Sequence, residues 1–418
     1  MNRTLDVWLN GEMTGQLIQD KQGEIHFTYS ASWLENPAAV SISCSLPLQK
    51  QSFGRKICHA FFGGILPEEN QRKLIAKNLG ISANNDFSML EKIGGECAGA
   101  LSFMPAGETP DAGISSYHKL TDSGLTDILL KLPSRPLLAG EEGVRLSLAG
   151  VQEKLAVYVK DGKIFIPLNN APSTHILKPD FSAYEGVIFN EAFCLNLARK
   201  AGLTAVDAAI KKTGDIHYLL IKRYDRIIDG TETKIKKITR LHQEDFCQAL
   251  AIPSTSKYQN EGGPSIRQCL DLIRAKSSKP VIDLEMMLNA VIFNFLVGNC
   301  DAHGKNFSIL YSGQFQLAPL YDLICTIFYP DLSQNMAMKL GGEYRINRIT
   351  TGNFDRFAEE AGFSKPEIRR RILELTEIIL SVLPETEILH PVQQQVANLI
   401  KTRCTHFSGQ AQKNIHHA

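Results

Sequence analysis

Short alternating runs of apolar and polar residues begin the chain. In the opening stretch LDVWLNGEMTGQLIQDKQGEIHFTY, Asn-Gly and Gly-Glu pairs separate the runs, which predicts strands joined by hairpins. Two segments with helical spacing follow at residues 67–81 and 85–94, and a further strand pattern covers residues 96–105. A loop rich in Gly, Pro and Ser, residues 106–116, then interrupts the pattern. We therefore predict a small β-containing N-terminal module, residues 1–108.

The remaining chain changes from strand-like to helical patterns. Short strand patterns dominate residues 109–224 and are interrupted by one helix at 190–202, which predicts a sheet with a single helix packed on it. From 225 to 418 the spacing of apolar residues is mostly helical. The exception is residues 305–324, which carry a hairpin pattern. The prediction is an α+β protein with a β-rich domain followed by an α-helical one.

Composition limits the classes of protein that fit this pattern. The chain has 418 residues, enough for about two to three domains. Its 45 basic and 44 acidic residues give a net charge of +1, so it lacks the electrostatic signature of a dedicated nucleic-acid binder. The N-terminus has no signal-peptide core, and we expect no apolar run of membrane-spanning length. These features favour a cytoplasmic protein.

The cysteines do not indicate a metal site. Nine are scattered along the chain, and none forms a C-x-x-C pair. Cys300 and His303 stand beside Asp301, but no second Cys/His pair has the spacing of a zinc site. We therefore expect reduced, mostly buried thiols and no zinc.

A dense polar cluster follows the most apolar helical segment of the chain, LEMMLNAVIFNFLV. Asp301 and Asn306 are five residues apart in GNCDAHGKNFSIL, and Asp322 follows a short strand pattern. Phosphoryl transfer needs a carboxylate that orients the attacking hydroxyl and oxygen ligands for magnesium. The order and spacing resemble those of protein kinases, although neither H-R-D nor D-F-G occurs. The alternative is that these residues are turn and helix caps, which Asp and Asn commonly form.

Three further segments have residues that suit a nucleotide site. Lys178 ends a strand-like run and precedes a helix that carries Glu191, an order found in kinases; the alternative is a solvated charge. The segment RLSLAGVQEKLAV places Gly150 and Lys154 between two strands, but it has neither G-x-G-x-x-G nor the Walker pattern. The segment LIKRYDRI lies where the β-rich domain passes into the helical one, at the place of an adenine-binding hinge; the alternative is an edge strand. A cleft between the two domains would favour a ligand.

Read in order, six motifs resemble the HipA family of bacterial serine/threonine kinase toxins. They are RLSLAGVQEK, THILKPD, KRYDR, LHQEDFCQALAIPSTSKYQNEGGPS, VGNCDAHGKNFSI and LAPLYDL. The resemblance extends from the opening module through FFGGILPE and GGECAGAL to the helical region. It implies a two-lobed protein-kinase-like fold, with a kinase N-lobe at 109–224, a C-lobe at 225–418 and the small β-rich module at 1–108.

The resemblance also implies an activity and partners. ATP and Mg²⁺ would be the cofactors, and the kinase would arrest growth by phosphorylating a translation component, for which glutamyl-tRNA synthetase is the family precedent. A HipB-like helix-turn-helix antitoxin dimer would neutralise the toxin and supply most contacts to operator DNA. The protein would then be cytoplasmic, and nucleoid-associated within that complex. The segment KPEIRRRI would be a local DNA contact, but a solvated helix face is the favoured alternative.

Residue roles follow from the same resemblance. Asp301 matches the catalytic aspartate, and Asn306 and Asp322 match the magnesium ligands. The matches to ATP-binding residues are Ala149, Gly150, Val151, Gln152, Glu153, Lys154, Lys178, Lys222, Arg223, Tyr224, His303, Gly304, Lys305, Asn306, Tyr321 and Asp322. Lys222 stands where the family has an acidic residue, so only its backbone is expected to make the hinge contact.

Ser147 matches the serine that the family autophosphorylates. A phosphate in the middle of a phosphate-binding loop should repel ATP and displace the loop, because it adds negative charge where ATP brings more. Autophosphorylation would therefore inactivate the kinase.

Two other functions remain open at this stage. The sequence CDAHGKN also resembles the loop of aminoglycoside-type kinases, which phosphorylate small molecules, although such enzymes would not need the N-terminal module. A catalytically silent, DNA-bound co-repressor is the other alternative, but it would have no need of Asp301, Asn306, Asp322 and Lys178 together.

Overall fold

The opening segment folds as a four-stranded antiparallel sheet with helices against it. The computed structural model describes residues 2–110, 116–181, 183–231, 234–312 and 314–415. The sheet has the order β3-β2-β1-β4, and alternate residues such as Leu5 and Leu17, which pair across β1 and β2, are fully buried. Its elements are β1 (Arg3–Leu9), β2 (Glu12–Gln19), β3 (Ile25–Tyr29), α1 (Ala31–Glu35), α2 (Arg55–Gly64), α3 (Glu69–Leu79), α4 (Asp86–Ile93) and β4 (Leu101–Pro105).

A six-stranded sheet with the order β5-β7-β6-β8-β10-β9 comes next. The elements of this region are β5 (Ser116–Lys119), α5 (Asp122–Lys131), β6 (Leu155–Lys160), β7 (Lys163–Leu168), β8 (His175–Pro179), α6 (Val187–Lys200), β9 (Ala208–Thr213) and β10 (Ile216–Lys222). The hairpin of β11 (Arg226–Thr231) and β12 (Lys234–Arg240), the strand β13 (His242–Asp245) and the short helix α7 (Phe246–Ala249) follow.

The last part of the chain is mostly helical, as its spacing predicts. Its helices are α8 (Ile266–Lys276), α9 (Pro280–Val297), α10 (Thr351–Ala361), α11 (Lys365–Val382) and α12 (Pro391–Ile415). The strands β14 (Ser308–Tyr311) and β15 (Phe315–Leu317) confirm the strand pattern within residues 305–324. A second hairpin, β16 (Asn335–Leu340) and β17 (Glu343–Arg345), was not predicted, although a Gly-Gly pair separates its two strands.

Contacts divide the chain into two compact units. Unit 1 comprises residues 1–181, 211–255 and 310–312, and unit 2 comprises residues 182–210, 256–309 and 313–418. One continuous hydrophobic core in unit 1 joins the first sheet to the second, from Leu5 to Tyr218. The predicted boundary at residue 108 therefore does not separate two cores, and part of its loop, residues 111–115, lies outside the described residues. The three-domain division stays a prediction.

Helix α6 belongs to unit 2, where it contacts α11 and α12. Its predicted packing on the sheet of the β-rich domain stays a prediction, since that sheet belongs to unit 1. Asn190 anchors it by donating to the Cys325 carbonyl at 3.0 Å and accepting from the Cys325 backbone N–H at 2.9 Å. Ten of its residues are buried, so the sequence has no one-sided apolar stripe that would indicate its partner.

Helix α9 is the apolar core helix of unit 2. Its 18 residues have a mean hydropathy of 1.6, so, contrary to the sequence expectation, it is long and apolar enough to cross a membrane by that measure alone. In the structure 61% of this segment is buried inside the protein. Its Asp283 accepts hydrogen bonds from the Ser277 hydroxyl at 2.5 Å and the Leu317 backbone N–H at 3.0 Å. These contacts fit a helix that packs within a folded unit.

A buried ion network ties the end of β10 to the N-terminal module within unit 1. The Glu96 carboxylate is fully buried and lies 3.2 Å from Arg223, 2.7 Å from Arg226 and 2.7 Å from Arg240. Asp225 pairs with Arg223 at 2.7 Å and Arg226 at 3.0 Å, and accepts from the Gly99 backbone N–H at 2.7 Å. Each buried charge therefore has several partners, which buried ions need to offset the loss of hydration.

Removing the charge of Glu96 should destabilise unit 1. Glu96→Gln keeps the side-chain shape but leaves Arg223 and Arg226 with Asp225 as their carboxylate and takes away the carboxylate that Arg240 contacts. Breaking a buried pair costs about 3–5 kcal/mol. We expect a clearly lower urea midpoint for this variant. Glu91→Gln is the matched control, since Glu91 pairs with an Arg3 side chain that is 43% exposed, and it should cost at most about 1 kcal/mol. Equal midpoints for the two variants would contradict the importance of the network.

The same network should make stability sensitive to acid. Burial raises the pKa of Glu96, but Arg226, Arg240 and Arg223 outweigh it and lower the pKa from 4.5 to about 2. Because the folded-state pKa lies below the unfolded one, this stabilisation is complete above about pH 4.5 and is lost as the pH falls toward about 2. We expect the free energy of unfolding to decline across this window, and less steeply in Glu96→Gln. Parallel curves would show that Glu96 does not carry the effect.

Candidate functional site

The N-terminal module holds the segment that resembles a nucleotide loop. Parallel backbone bridges join Leu146 to Glu96 and Gly150 to Pro67. Ser147 is fully buried: its backbone N–H donates to the Glu96 carbonyl at 2.9 Å, and its hydroxyl donates to the Ile65 carbonyl at 3.1 Å. In this arrangement the predicted autophosphorylation site is not exposed to solvent.

The rest of this loop, residues 149–154, has local partners. Gly150 has φ +106°, and its carbonyl accepts from the Glu68 backbone N–H at 3.2 Å. This positive φ favours glycine. The Lys154 Nζ donates to the Ala149 carbonyl next to it. Glu153 accepts from the side-chain amide of Gln71 at 3.1 Å. The Gln152 side chain is half-buried, and Val151 is 44% exposed.

The other predicted nucleotide contacts of unit 1 lie on β8 and at the end of β10. Lys178 is only 4% exposed and pairs with Leu219 in the backbone register of the two strands. Lys222 is exposed opposite His175, and the Tyr224 hydroxyl donates to Oε1 of Gln243. A buried lysine at a strand end is not the solvated charge of the alternative interpretation.

Arg223 is committed to the ion network. Its five side-chain N–H groups donate to Asp225 (two), Glu96, the Ser173 hydroxyl and the Cys97 carbonyl, at 2.7 to 3.2 Å. Its backbone N–H donates to the Thr174 carbonyl at 3.0 Å. A guanidinium group has five N–H donors, and all five are used here. The predicted contact of Arg223 with ATP would therefore have to come from its backbone carbonyl.

In unit 2 the end of α9 leads directly into the candidate catalytic loop. Gly298 ends the helix with φ +81°, and a Cβ there would lie 2.4 Å from Cδ1 of Ile327. The Asn299 side-chain amide donates to Oδ1 of Asn294 at 2.8 Å, and its oxygen accepts from the Asp301 backbone N–H at 3.0 Å. This relay of two amide side chains fixes the backbone of Asp301 to the buried helix.

The Asp301 side chain faces solvent and has an oriented partner. The Tyr258 hydroxyl donates to Oδ1 of Asp301 at 2.7 Å. The Tyr258 ring also lies edge-on to the ring of His303, with centroids 5.3 Å apart. An exposed carboxylate held by a hydroxyl group is suited to accept a proton from a substrate. The turn itself uses the backbone carbonyl of Asp301, which accepts from the His303 backbone N–H at 2.8 Å.

Asn306 has an unused acceptor. The residue is 9% exposed, and its Oδ1 is buried without a hydrogen-bond partner among the residues that the structure describes. Its backbone N–H donates to the His303 carbonyl at 2.9 Å, closing the short turn Gly304–Asn306. Buried acceptors are rarely left unpaired, so an unpaired amide oxygen fits a ligand position for a hard cation such as Mg²⁺.

Tyr321 and Asp322 stand next to this turn. The Tyr321 hydroxyl donates to the Lys305 carbonyl at 2.7 Å and lies 2.6 Å from the Ser308 hydroxyl. Asp322 has φ +52°, an uncommon backbone conformation for a residue other than glycine, and such conformations concentrate at functional sites. His303, Gly304 and Lys305 are buried within the same turn. Unit 2 thus brings together Asp301, His303–Asn306 and Tyr321, and Asp322 is the next residue in the chain after Tyr321.

The sequence analysis missed two residues as functional candidates. Tyr258 lies in the motif STSKYQNEGG, 43 residues from its partner Asp301, and Glu96 lies in GGECAGAL, 127 residues from its partner Arg223. Neither motif by itself indicates such a distant partner. The predicted pair of Lys178 and Glu191 stays a prediction, since the two residues belong to unit 1 and unit 2.

The basic segment KPEIRRRI has acidic partners within unit 2. Arg369 makes two hydrogen bonds to Asp355, at 2.8 and 2.6 Å, Arg370 pairs with Glu374 at 2.6 Å, and Arg371 pairs with Glu285. These pairs favour the helix-face interpretation over a DNA contact.

Comparisons with known proteins match almost the whole chain. The HipA N-terminal domain family matches residues 5–104, and the HipA-like C-terminal domain family matches residues 146–383. A curated protein of Sinorhizobium fredii named "Putative kinase Y4mE" is 43% identical over 93% of this chain and 94% of its own length. The serine/threonine-protein kinase toxin HipA of Shewanella oneidensis is 28% identical over 97% of this chain and 96% of its own length.

A solved structure agrees with these matches. The HipA chain in the complex of HipA, HipB and operator DNA from Shewanella oneidensis superposes with a TM-score of 0.85 at 26% identity, covering 98% of this chain and 99% of that one. The predicted α+β, kinase-like fold with a β-containing N-terminal module is confirmed by this likeness. On the family matches and the identity to curated relatives, the chain belongs to the HipA family of toxin kinases.

Proposed function

We propose that the protein is an ATP-dependent serine/threonine protein kinase that acts as the toxin of a type II toxin–antitoxin system. The observation that carries the proposal is the loop after α9, where an exposed, oriented Asp301 carboxylate and the buried, unpartnered Oδ1 of Asn306 lie five residues apart. If Asn306 served only as a turn cap, its buried, unpartnered oxygen would have no explanation. Membership of a family whose curated relatives are named kinases supports the same assignment.

In the proposed reaction each predicted site residue has a specific role in binding or proton transfer. The substrate hydroxyl oxygen attacks the γ-phosphorus of ATP, the bond to the ADP oxygen breaks, and Asp301 receives the hydroxyl proton. Asn306 and Asp322 would hold Mg²⁺, which when bound neutralises charge on the phosphate oxygens. Lys178, the backbone of residues 149–154 and the turn His303–Asn306 would bind the phosphates. Backbone groups of residues 222–224 and the side chain of Tyr321 would complete the nucleotide site.

The burial of Ser147 supports its role as an off switch. A phosphate on its hydroxyl oxygen would face the Ile65 carbonyl in a site without solvent access, which combines electrostatic repulsion with the cost of burying a dianion. The phosphorylated loop would therefore have to leave its contacts with Ile65, Glu96 and Glu68. Because these contacts set the backbone of residues 146–150, ATP binding would be lost with them.

The partners follow from the family. The related HipA was solved with HipB and operator DNA, so we propose a HipB-like helix-turn-helix antitoxin dimer as the inhibitor, with DNA contacted mainly through it. The net charge of +1 agrees with this division, since the chain has little surplus positive charge. The protein substrate would be a translation component such as glutamyl-tRNA synthetase, and the site of action would be the cytoplasm and, in the antitoxin complex, the nucleoid.

Self-phosphorylation tests the enzyme assignment. Dephosphorylated protein incubated with ATP and Mg²⁺ should gain one phosphate at Ser147, measured by intact mass and peptide mapping, and then lose ATP binding. Asp301→Asn should bind ATP but gain none, and Ser147→Ala should gain none and keep ATP binding. No phosphate on ATP-binding parent protein would favour a small-molecule phosphotransferase or a silent co-repressor. Loss of ATP binding in Ser147→Ala after incubation would contradict the off switch.

Asn306 should be needed for magnesium. In the parent protein Mg²⁺ should tighten ATP binding, and in Asn306→Ala that gain should fall by about tenfold or more, because a metal ligand is removed. Isothermal titration with and without Mg²⁺ measures the difference. Asn289→Ala is the matched control, since Asn289 also has a buried Oδ1 without a described partner but lies within α9. An equal gain in both variants would exclude Asn306 as a ligand.

A further inference from the structure

The segment Ser256–Gly263 of unit 2 is folded so that Tyr258 has little freedom. The Tyr258 carbonyl accepts from the backbone N–H groups of Glu261 at 2.9 Å and Gly263 at 2.8 Å. Oε1 of Gln259 accepts from the Lys339 backbone N–H at 2.7 Å, which joins the segment to β16. A Cβ on Gly263 would lie 2.6 Å from the carbonyl carbon and oxygen of Lys257, so the tight return of the chain requires glycine. The backbone on both sides of Tyr258 is therefore fixed.

The ring and hydroxyl of Tyr258 are also fixed by their contacts. The ring lies edge-on to His303 at an interplanar angle of 80°, and the Lys257 Nζ lies 5.7 Å from the ring centroid. Its hydroxyl donates to Oδ1 of Asp301. Tyr258 thus reaches the candidate catalytic carboxylate from a segment that is 43 residues away in sequence.

We propose that Tyr258 is a positioning residue that orients the Asp301 carboxylate for phosphoryl transfer. The inference rests on the proposed kinase function and extends it to a residue outside the catalytic loop. The backbone of Asp301 is already held by Asn299, but a carboxylate on a fixed backbone still rotates about two bonds. A hydrogen bond at Oδ1 restricts that rotation and presents Oδ2 to the substrate hydroxyl.

The chemistry gives this bond a second effect. During transfer the substrate O–H bond breaks as its oxygen bonds to the γ-phosphorus, the ADP oxygen leaves with its electron pair, and the proton moves to Oδ2 of Asp301. A donor on Oδ1 favours the ionised carboxylate over the protonated one, so Asp301 stays ready to accept the proton at lower pH. Loss of the Tyr258 hydroxyl should therefore slow transfer and shift its pH dependence together. A residue that served packing alone would change neither the pH profile nor the rate in stable protein.

Two variants separate these roles. Tyr258→Phe removes the hydroxyl and keeps the ring against His303. Tyr117→Phe is the matched control, because the Tyr117 hydroxyl also makes one hydrogen bond, to the Pro172 carbonyl at 3.0 Å, and Tyr117 lies on β5 in unit 1. A third variant, Gly263→Ala, keeps the hydroxyl but displaces the backbone next to Tyr258.

The assay is the single-turnover rate of self-phosphorylation by intact mass, from pH 5 to 9 at saturating ATP and Mg²⁺, beside the dissociation constant of ATP and the melting temperature. For Tyr258→Phe we expect a rate about tenfold lower, the scale of one hydrogen bond to a charged group. The acid limb should move to higher pH by about 0.5–1 unit. The ATP dissociation constant and melting temperature should match those of Tyr117→Phe. Gly263→Ala should show the same direction of change.

The outcomes distinguish this inference from the function on which it rests. If the parent phosphorylates itself, Asp301→Asn does not, and Tyr258→Phe has the parental rate and pH profile, the positioning role is wrong and the kinase function stands. A slower Tyr258→Phe with an unchanged pH profile and a lower melting temperature would also reject it, in favour of packing. If ATP-binding parent protein transfers no phosphate, the proposed function fails and this inference fails with it.

Discussion

The buried carboxylate of Glu96 is the interaction on which the arrangement of unit 1 depends. Its side chain accepts from Arg223, Arg226, Arg240 and Ser173, and its backbone bonds to the segment that contains Ser147. Glu96, a residue of the N-terminal module, thus holds two segments in position. One is the strand end that resembles an adenine hinge, and the other is the loop that resembles a phosphate-binding loop. Fully buried charges need several such partners, so the strand end, the loop and the module are constrained together.

This coupling gives the N-terminal module a role in the proposed kinase. Small-molecule phosphotransferases would need only the lobes that hold nucleotide and substrate. Here Ile65, Pro67 and Glu68 of the module contact residues 147–150 directly. In the proposed kinase these contacts would hold Ser147 in its buried position. A phosphate on Ser147 would act against them and, if ATP binds this loop as proposed, against ATP as well.

Much of the fold and site could be predicted from sequence, for physical reasons that also explain the failures. Alternating apolar residues identified the opening strands, and the spacing of Asp301, Asn306 and Asp322 identified the turn after α9, because both are local patterns. The contacts of α6 with α11 and α12 had no signal in the sequence, because that helix is buried on nearly all sides. The partners of Glu96 and Tyr258 are distant in sequence, so no local pattern indicates them. Arg223 was expected to contact ATP, but Glu96 and the neighbouring groups of the ion network occupy its side-chain donors.

The most direct test of the account is a structure of dephosphorylated protein with a non-hydrolysable ATP analogue and Mg²⁺. We predict a metal bound by Oδ1 of Asn306 and the carboxylate of Asp322, with the γ-phosphate facing Asp301 and Tyr258 still bonded to Oδ1 of that residue. Ser147 should keep its bonds to Ile65 and Glu96. A nucleotide bound elsewhere, or a metal that does not contact Asn306 and Asp322, would contradict the proposed kinase site.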